Sequence, residues 1–244
     1  MLEDKTIKDL LQYTRSHLIK EEKQFPFWDL DKVLEMFQSK QFNSLCSVKP
    51  DLYFKKVLFL TILAVPRRIE EIKAISISRS TFKESEMILR PHAKFIKKNA
   101  SATFNPQEIK IPKFTENPAI CPIYNLQQYL EITNKICSNK NQVRPDQLFI
   151  KSDSSPFSTH QLRSSIREII FRADPFSNKS TSTPHSIRKT AATILDYRGF
   201  TLRDIMNQMQ WRSSETYMKY YCQIGLVPNT SRSCVIAGNI IPST

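Results

Sequence analysis

The stretch from Pro50 to Ala64 constrains the fold more than any other part of the chain. Leu52, Phe54, Val57, Leu58, Leu60 and Ile62 put apolar side chains on most sides of a helix, and a helix that is apolar all round has to be enclosed by other elements. The run Val57 to Val65, bounded by Lys55-Lys56 and Arg67-Arg68, falls well short of the roughly 18 apolar residues that a membrane span needs. It is therefore expected at the centre of a water-soluble core. A chain of 244 residues is long enough to build that enclosure as one large domain, or as one medium domain with an appendage.

Around this helix the pattern predicts a mainly helical α+β fold. Ile7, Leu10, Leu11, Leu18 and Ile19 recur at helical spacing over 3–22, and Pro26 ends that segment by biasing its predecessor away from helical angles. A second helix is predicted from Asp29 or Asp31, with Leu30, Val33, Leu34 and Phe37 as its buried stripe. Met87–Leu89 and Ile109–Ile111 read as the short strands of a hairpin whose long tip is the basic polar stretch 94–107. Helices follow at about 122–136, 159–173, 185–198, 202–209 and 214–221. Gly199, one of three glycines, suits the stop of the helix before it, and Thr201 with Asp204 resembles a capping box.

Charge selects the partner. Lys and Arg number 36 against 23 Asp and Glu, a formal net charge of +13, and such a field attracts polyanions, nucleic acid ahead of an acidic membrane surface. Cys46, Cys121, Cys137, Cys222 and Cys234 are odd in number and scattered, with no CxxC pair, which fits reduced thiols inside a cell. None of His17, His92 and His160 stands at metal-ligand spacing from a cysteine, so no metal and no other cofactor is expected. Met1-Leu2-Glu3-Asp4-Lys5 lacks the basic start and apolar block of a secretory signal.

The residues that carry chemistry lie far apart in sequence: Arg67-Arg68-Ile69-Glu70-Glu71, then His185-Ser186-Ile187-Arg188, then Trp211 and Tyr220. A tyrosine hydroxyl, with a pKa of roughly 10, attacks phosphorus only when a base or nearby cations help remove its proton. Arginine, planar and always charged, can hold two phosphate oxygens at once. Taken singly each residue has a plainer reading: Tyr220 as packing beside Tyr217 and Tyr221, His185 as a first-turn residue, Trp211 as core, Arg68 as the partner of Glu71. Their joint order and spacing argue otherwise.

On these boxes the chain resembles the tyrosine recombinases of the phage-integrase superfamily. Arg68-Ile69-Glu70-Glu71-Ile72 matches that family's first box, His185-Ser186-Ile187-Arg188 its His-x-x-Arg, and Tyr220 follows Trp211 by the family's nine residues. Pro66-Arg67 stands where the family usually has Gly-Leu. Phe27-Trp28-Asp29-Leu30 looks most like recombinases of DIRS-type retroelements, mobile elements of eukaryotes. The resemblance implies an N-terminal helix or linker at 1–25, a tyrosine-recombinase catalytic domain with a small antiparallel hairpin or sheet at 26–222, and a tail at 223–244.

It also implies roles. Tyr220 would form a 3′-phosphotyrosyl link, Arg68 and Arg188 would neutralise the pentavalent phosphate, His185 would act as base or hydrogen-bond partner, and Trp211 would donate its indole N–H or pack the site. Lys98, with Lys97 and Lys94 as alternatives, would protonate the leaving 5′ oxygen. Arg67, Lys97 and Lys189 would contact DNA phosphates, and Glu71 would steady Arg68. The partner would be double-stranded DNA, bound by a homotetramer on paired sites, and the compartment the nucleus in a eukaryote. Only some 25 residues precede the catalytic fold, where family members usually carry a helical DNA-clamping domain, a departure that bears on activity of the chain alone. The rival readings are a catalytically silent DNA-binding module derived from a recombinase and a type IB topoisomerase.

Overall fold

The computed structural model describes residues 28–43, 49–83, 85–96, 108–177, 182–211 and 214. Among them the elements run α1 (Leu30–Gln38), α2 (Lys40–Asn43), α3 (Pro50–Ala64), α4 (Ile69–Lys73), β1 (Ile75–Phe82), β2 (Glu86–Pro91), β3 (Ile109–Pro112), α5 (Pro122–Asn139), α6 (Thr159–Ala173), α7 (Pro184–Tyr197) and α8 (Leu202–Met209). The fold is mainly helical with one small antiparallel sheet, as the pattern predicts. The expected helix over 3–22 lies outside the described residues, as does that over 214–221 beyond its first residue.

α3 is the axis of the core. Every residue from Tyr53 to Ala64 is buried, and the helix packs against α5, α6 and α7. Phe54 stacks on Phe157 with ring centroids 4.0 Å apart and meets Phe149 edge-on, while Phe59 receives Trp28 and Phe37 edge-on at 5.8 and 5.5 Å. Two lysines share this interior. Lys55 pairs with Asp51 and Glu168 at 2.7 and 2.6 Å, and the fully buried Lys56 donates to the carbonyls of Phe37 and Phe42 at 3.1 and 3.2 Å, tying α1 and α2 to α3.

The hairpin forms as expected and gains a strand. Met87 faces Ile111 and Leu89 faces Ile109 across the β2–β3 pair, and all four are buried, because directly opposed residues share a face of the pleat. β1 pairs antiparallel with β2 on the other edge, with its register shifting between Ser76 and Thr81. The strand was not expected, although Ile75-Ser76-Ile77-Ser78 alternates as a strand should. Gly199 takes the left-handed conformation (φ 79°) just past α7, as anticipated. At α8 the box is partial: Thr201 Oγ1 accepts from the Asp204 amide, but the Asp204 carboxylate takes the Thr201 hydroxyl at 2.5 Å. Aspartate is a methylene short of the Glu that reaches back to the cap amide. Full capping boxes stand instead at Ser158–Gln161 and Thr183–Ser186.

Candidate active site

Pro66 carries the chain out of α3, and Arg68, with extended angles (φ −67°, ψ 148°), caps the start of α4. That turn sends two adjacent arginines to different depths. Arg67 is buried, with 7% of its surface exposed, whereas Arg68 is half-buried. Glu71, one turn into α4, is buried as well. Burial pushes the Arg67 pKa down to about 9, Glu71 opposes that shift and Arg188 adds to it, so Arg67 stays cationic at neutral pH while lying close to both. Among the described residues, its Nε and Nη1 have no hydrogen-bond partner. The structure thus places Arg67 in the interior beside Glu71 and Arg188, at a position where the family of the resemblance usually has the Leu of Gly-Leu.

α7 brings the second box. Pro184 occupies its first turn and Thr183 caps it in a reciprocal box with Ser186. His185 is exposed and Arg188, one turn on, is buried to 6% exposure. Arg188 donates from Nη2 to the Met209 carbonyl at 2.6 Å, and its guanidinium carbon lies 5.4 Å from the Trp211 ring centroid, within cation–π range. Gln210, in the left-handed region at φ 50°, turns the chain off the end of α8 so that Trp211, buried to 7%, returns beneath Arg188. The crowded surroundings of the His185 ring, and then the charges of Lys189, Arg188 and Arg68, push its pKa down to about 4. The imidazole is neutral at pH 7.

Residues 32–224 match the sequence model of the phage integrase family. The chain belongs to that family. XerA recombinase shares the fold over 82% of this chain and 62% of its own length, with a TM-score of 0.56 and 18% identity. XerH site-specific recombinase, in a pre-cleavage complex with its difH substrate, matches over 79% and 48% (0.55, 15% identity), and Tn1549 transposon integrase in complex with transposon right end DNA over 89% and 66% (0.53, 15% identity). The chain spans less than two-thirds of the XerA and XerH chains. A comparison with curated proteins gives no match.

Within this phage integrase fold, Arg68, His185, Arg188 and Trp211 occupy one neighbourhood built from the α3–α4 turn, the first turn of α7 and the end of α8. Lys189 lies close enough to His185 to depress its proton affinity. Tyr220, Lys97 and Lys98 lie outside the described residues; Lys94, at the start of the hairpin tip, is exposed. None of the gathered residues lines the cavity of about 280 Å³ between Phe54, Tyr129, Ile136 and Phe157. Among the described residues no cluster of three or more His, Cys, Asp or Glu could hold a metal ion, and no helix is long and apolar enough to cross a membrane. Sequence reasoning missed Ser186 as a member of the site's frame. The Thr183-x-x-Ser186 spacing is the signal that could have found it.

Proposed function

We propose that this domain cuts one strand of duplex DNA and rejoins it to another through a phosphotyrosine at Tyr220, as in site-specific recombination or integration. The observation that carries the reading is the convergence of two arginines, a neutral imidazole and an indole from separated stretches of chain, in a fold of the phage integrase family. The Tyr220 oxygen bonds to phosphorus as its proton leaves for His185, the bond to the 5′ oxygen breaks, and that oxygen takes a proton from Lys98 or its neighbour Lys97. Arg68 and Arg188 hold the non-bridging oxygens as charge builds on them. For Arg188 this exchanges the bond to the neutral Met209 carbonyl for a stronger one to an anion. Double-stranded DNA, assembly as a tetramer on paired sites, and nuclear residence in a eukaryotic host belong to this proposal, as does placement among DIRS-type elements, which the Phe27-Trp28-Asp29-Leu30 opening supports.

The test starts by selecting a bound duplex from a random DNA pool, then nicking it near candidate cleavage points so that cleavage becomes irreversible. A covalent complex is expected in the wild-type chain, lost in Tyr220→Phe and kept in Tyr217→Phe and Tyr221→Phe. Tight duplex binding with no covalent product in any form supports the silent DNA-binding module. Relaxation of supercoils without recombinant product supports the topoisomerase reading.

A further inference from the structure

Trp28, buried to 8% exposure, packs edge-on against Phe59 of α3. Its Nε1–H donates to the Ser186 hydroxyl at 3.0 Å, a buried bond that spans 158 positions of sequence. The same hydroxyl accepts from the Thr183 amide at 3.1 Å and donates to the Thr183 carbonyl at 2.7 Å. A serine hydroxyl has one proton and two acceptor sites, so Trp28 completes its capacity. Ser186 follows His185 directly and precedes Arg188 by two positions. A second tie runs beside the first: Asp174, the cap that ends α6, accepts from the Asp29 amide at 3.3 Å and pairs with Lys32 at 3.0 Å. The strap at 28–32 is therefore fastened to both ends of the segment leading into α7.

We infer that Trp28 is a positioning residue whose indole N–H fixes the first turn of α7, and so the placement of His185 and Arg188. Packing alone does not require the bond, because a phenyl ring would fill much of the same space against Phe59. A buried indole N–H does require a partner, and the one it takes is the serine of the capping box that starts the helix carrying two candidate catalytic groups. The consequence for DNA cleavage rests on the proposed function. The geometric coupling does not.

The experiment follows His185 by proton NMR titration in the full chain. Lys189 and Arg188 on α7 and Arg68 at the cap of α4 face its ring. In Trp28→Phe the turn loosens, and the His185 pKa rises by about half a unit or more toward the ordinary value near 6.5. Ser186→Ala produces the same shift, and the double variant adds nothing to either single one, the signature of one shared interaction. Phe149→Leu, a core change outside α7, lowers Tm and leaves His185 where it was. On the nicked duplex, Trp28→Phe forms the covalent complex about tenfold more slowly with duplex affinity unchanged. A His185 titration identical to wild type, in whichever of the two single variants folds, overturns the inference. If the wild-type chain itself fails to cleave DNA, the proposed function fails, and the titration alone decides the coupling.

Discussion

Lys56, within α3, and Arg67, just past its end, are both buried cations, and they are treated in opposite ways. Lys56 sits in the scaffold, 1% exposed, with its ammonium spent on two carbonyls at the ends of α1 and α2. Arg67 sits in the site, with Glu71 and Arg188 acting on it and two N–H groups that find no hydrogen-bond partner among the described residues. Scaffolds satisfy their buried polar groups, because each unpaired one costs about 1–3 kcal/mol; sites tolerate the cost where the field it creates is used. Among the described residues, two buried guanidiniums, those of Arg67 and Arg188, stand with the buried carboxylate of Glu71.

The contrast breaks if the site's cations can be removed without chemical consequence. Arg188→Ala is expected to slow covalent-complex formation on the nicked duplex by about 100-fold or more, with a much smaller change in duplex affinity at low salt. For the scaffold the effect lies in stability. Lys56→Ala leaves two carbonyls unpaired and a void, and is expected to cost about 3 kcal/mol in urea unfolding. Replacing the site pair together, Arg67→Leu with Glu71→Gln, is expected to change stability by about 1 kcal/mol or less. A pair substitution costlier than Lys56→Ala would show that Arg67 and Glu71 hold the fold rather than shape the site.

Stability against pH sharpens the same comparison. Burial lowers the Lys56 pKa from 10.5 to about 8, so between those values the unfolded chain binds the proton more tightly than the folded one, and stability rises with pH across that window. Lys56→Met removes this slope. His185 acts at the acid end: with its folded pKa near 4 against 6.5 unfolded, stability falls as pH drops from 6.5 toward 4. Its exposure screens the effect, so the slope lost in His185→Phe is the smallest change expected here.

Much of the scaffold was legible because its signals are local. The apolar circumference of α3, the stripe of α1 and the paired apolar residues of β2 and β3 each follow from one periodicity. β1 escaped because its alternation fades after Ile77 into half-buried residues on both faces, and the four-residue α2 is too short to show a period at all. In the site, order and spacing singled out the Arg68, His185, Arg188 and Trp211 that the structure gathers. Depth was not legible: nothing in Pro66-Arg67-Arg68 tells which arginine turns inward, since that depends on the angle at which the chain leaves α3. The Trp28–Ser186 bond was equally hidden, joining residues that no sequence window contains together.

The central claim is tested most directly by identifying the residue that DNA becomes attached to. After trapping on the selected, nicked duplex, nuclease treatment and trypsin digestion, cleavage after Lys219 and Arg232 separates Tyr217 from a peptide holding Tyr220 and Tyr221. Fragmentation of that peptide in a mass spectrometer is predicted to place the nucleotide remnant on Tyr220. A remnant on Tyr217, Tyr221 or any other residue contradicts the account.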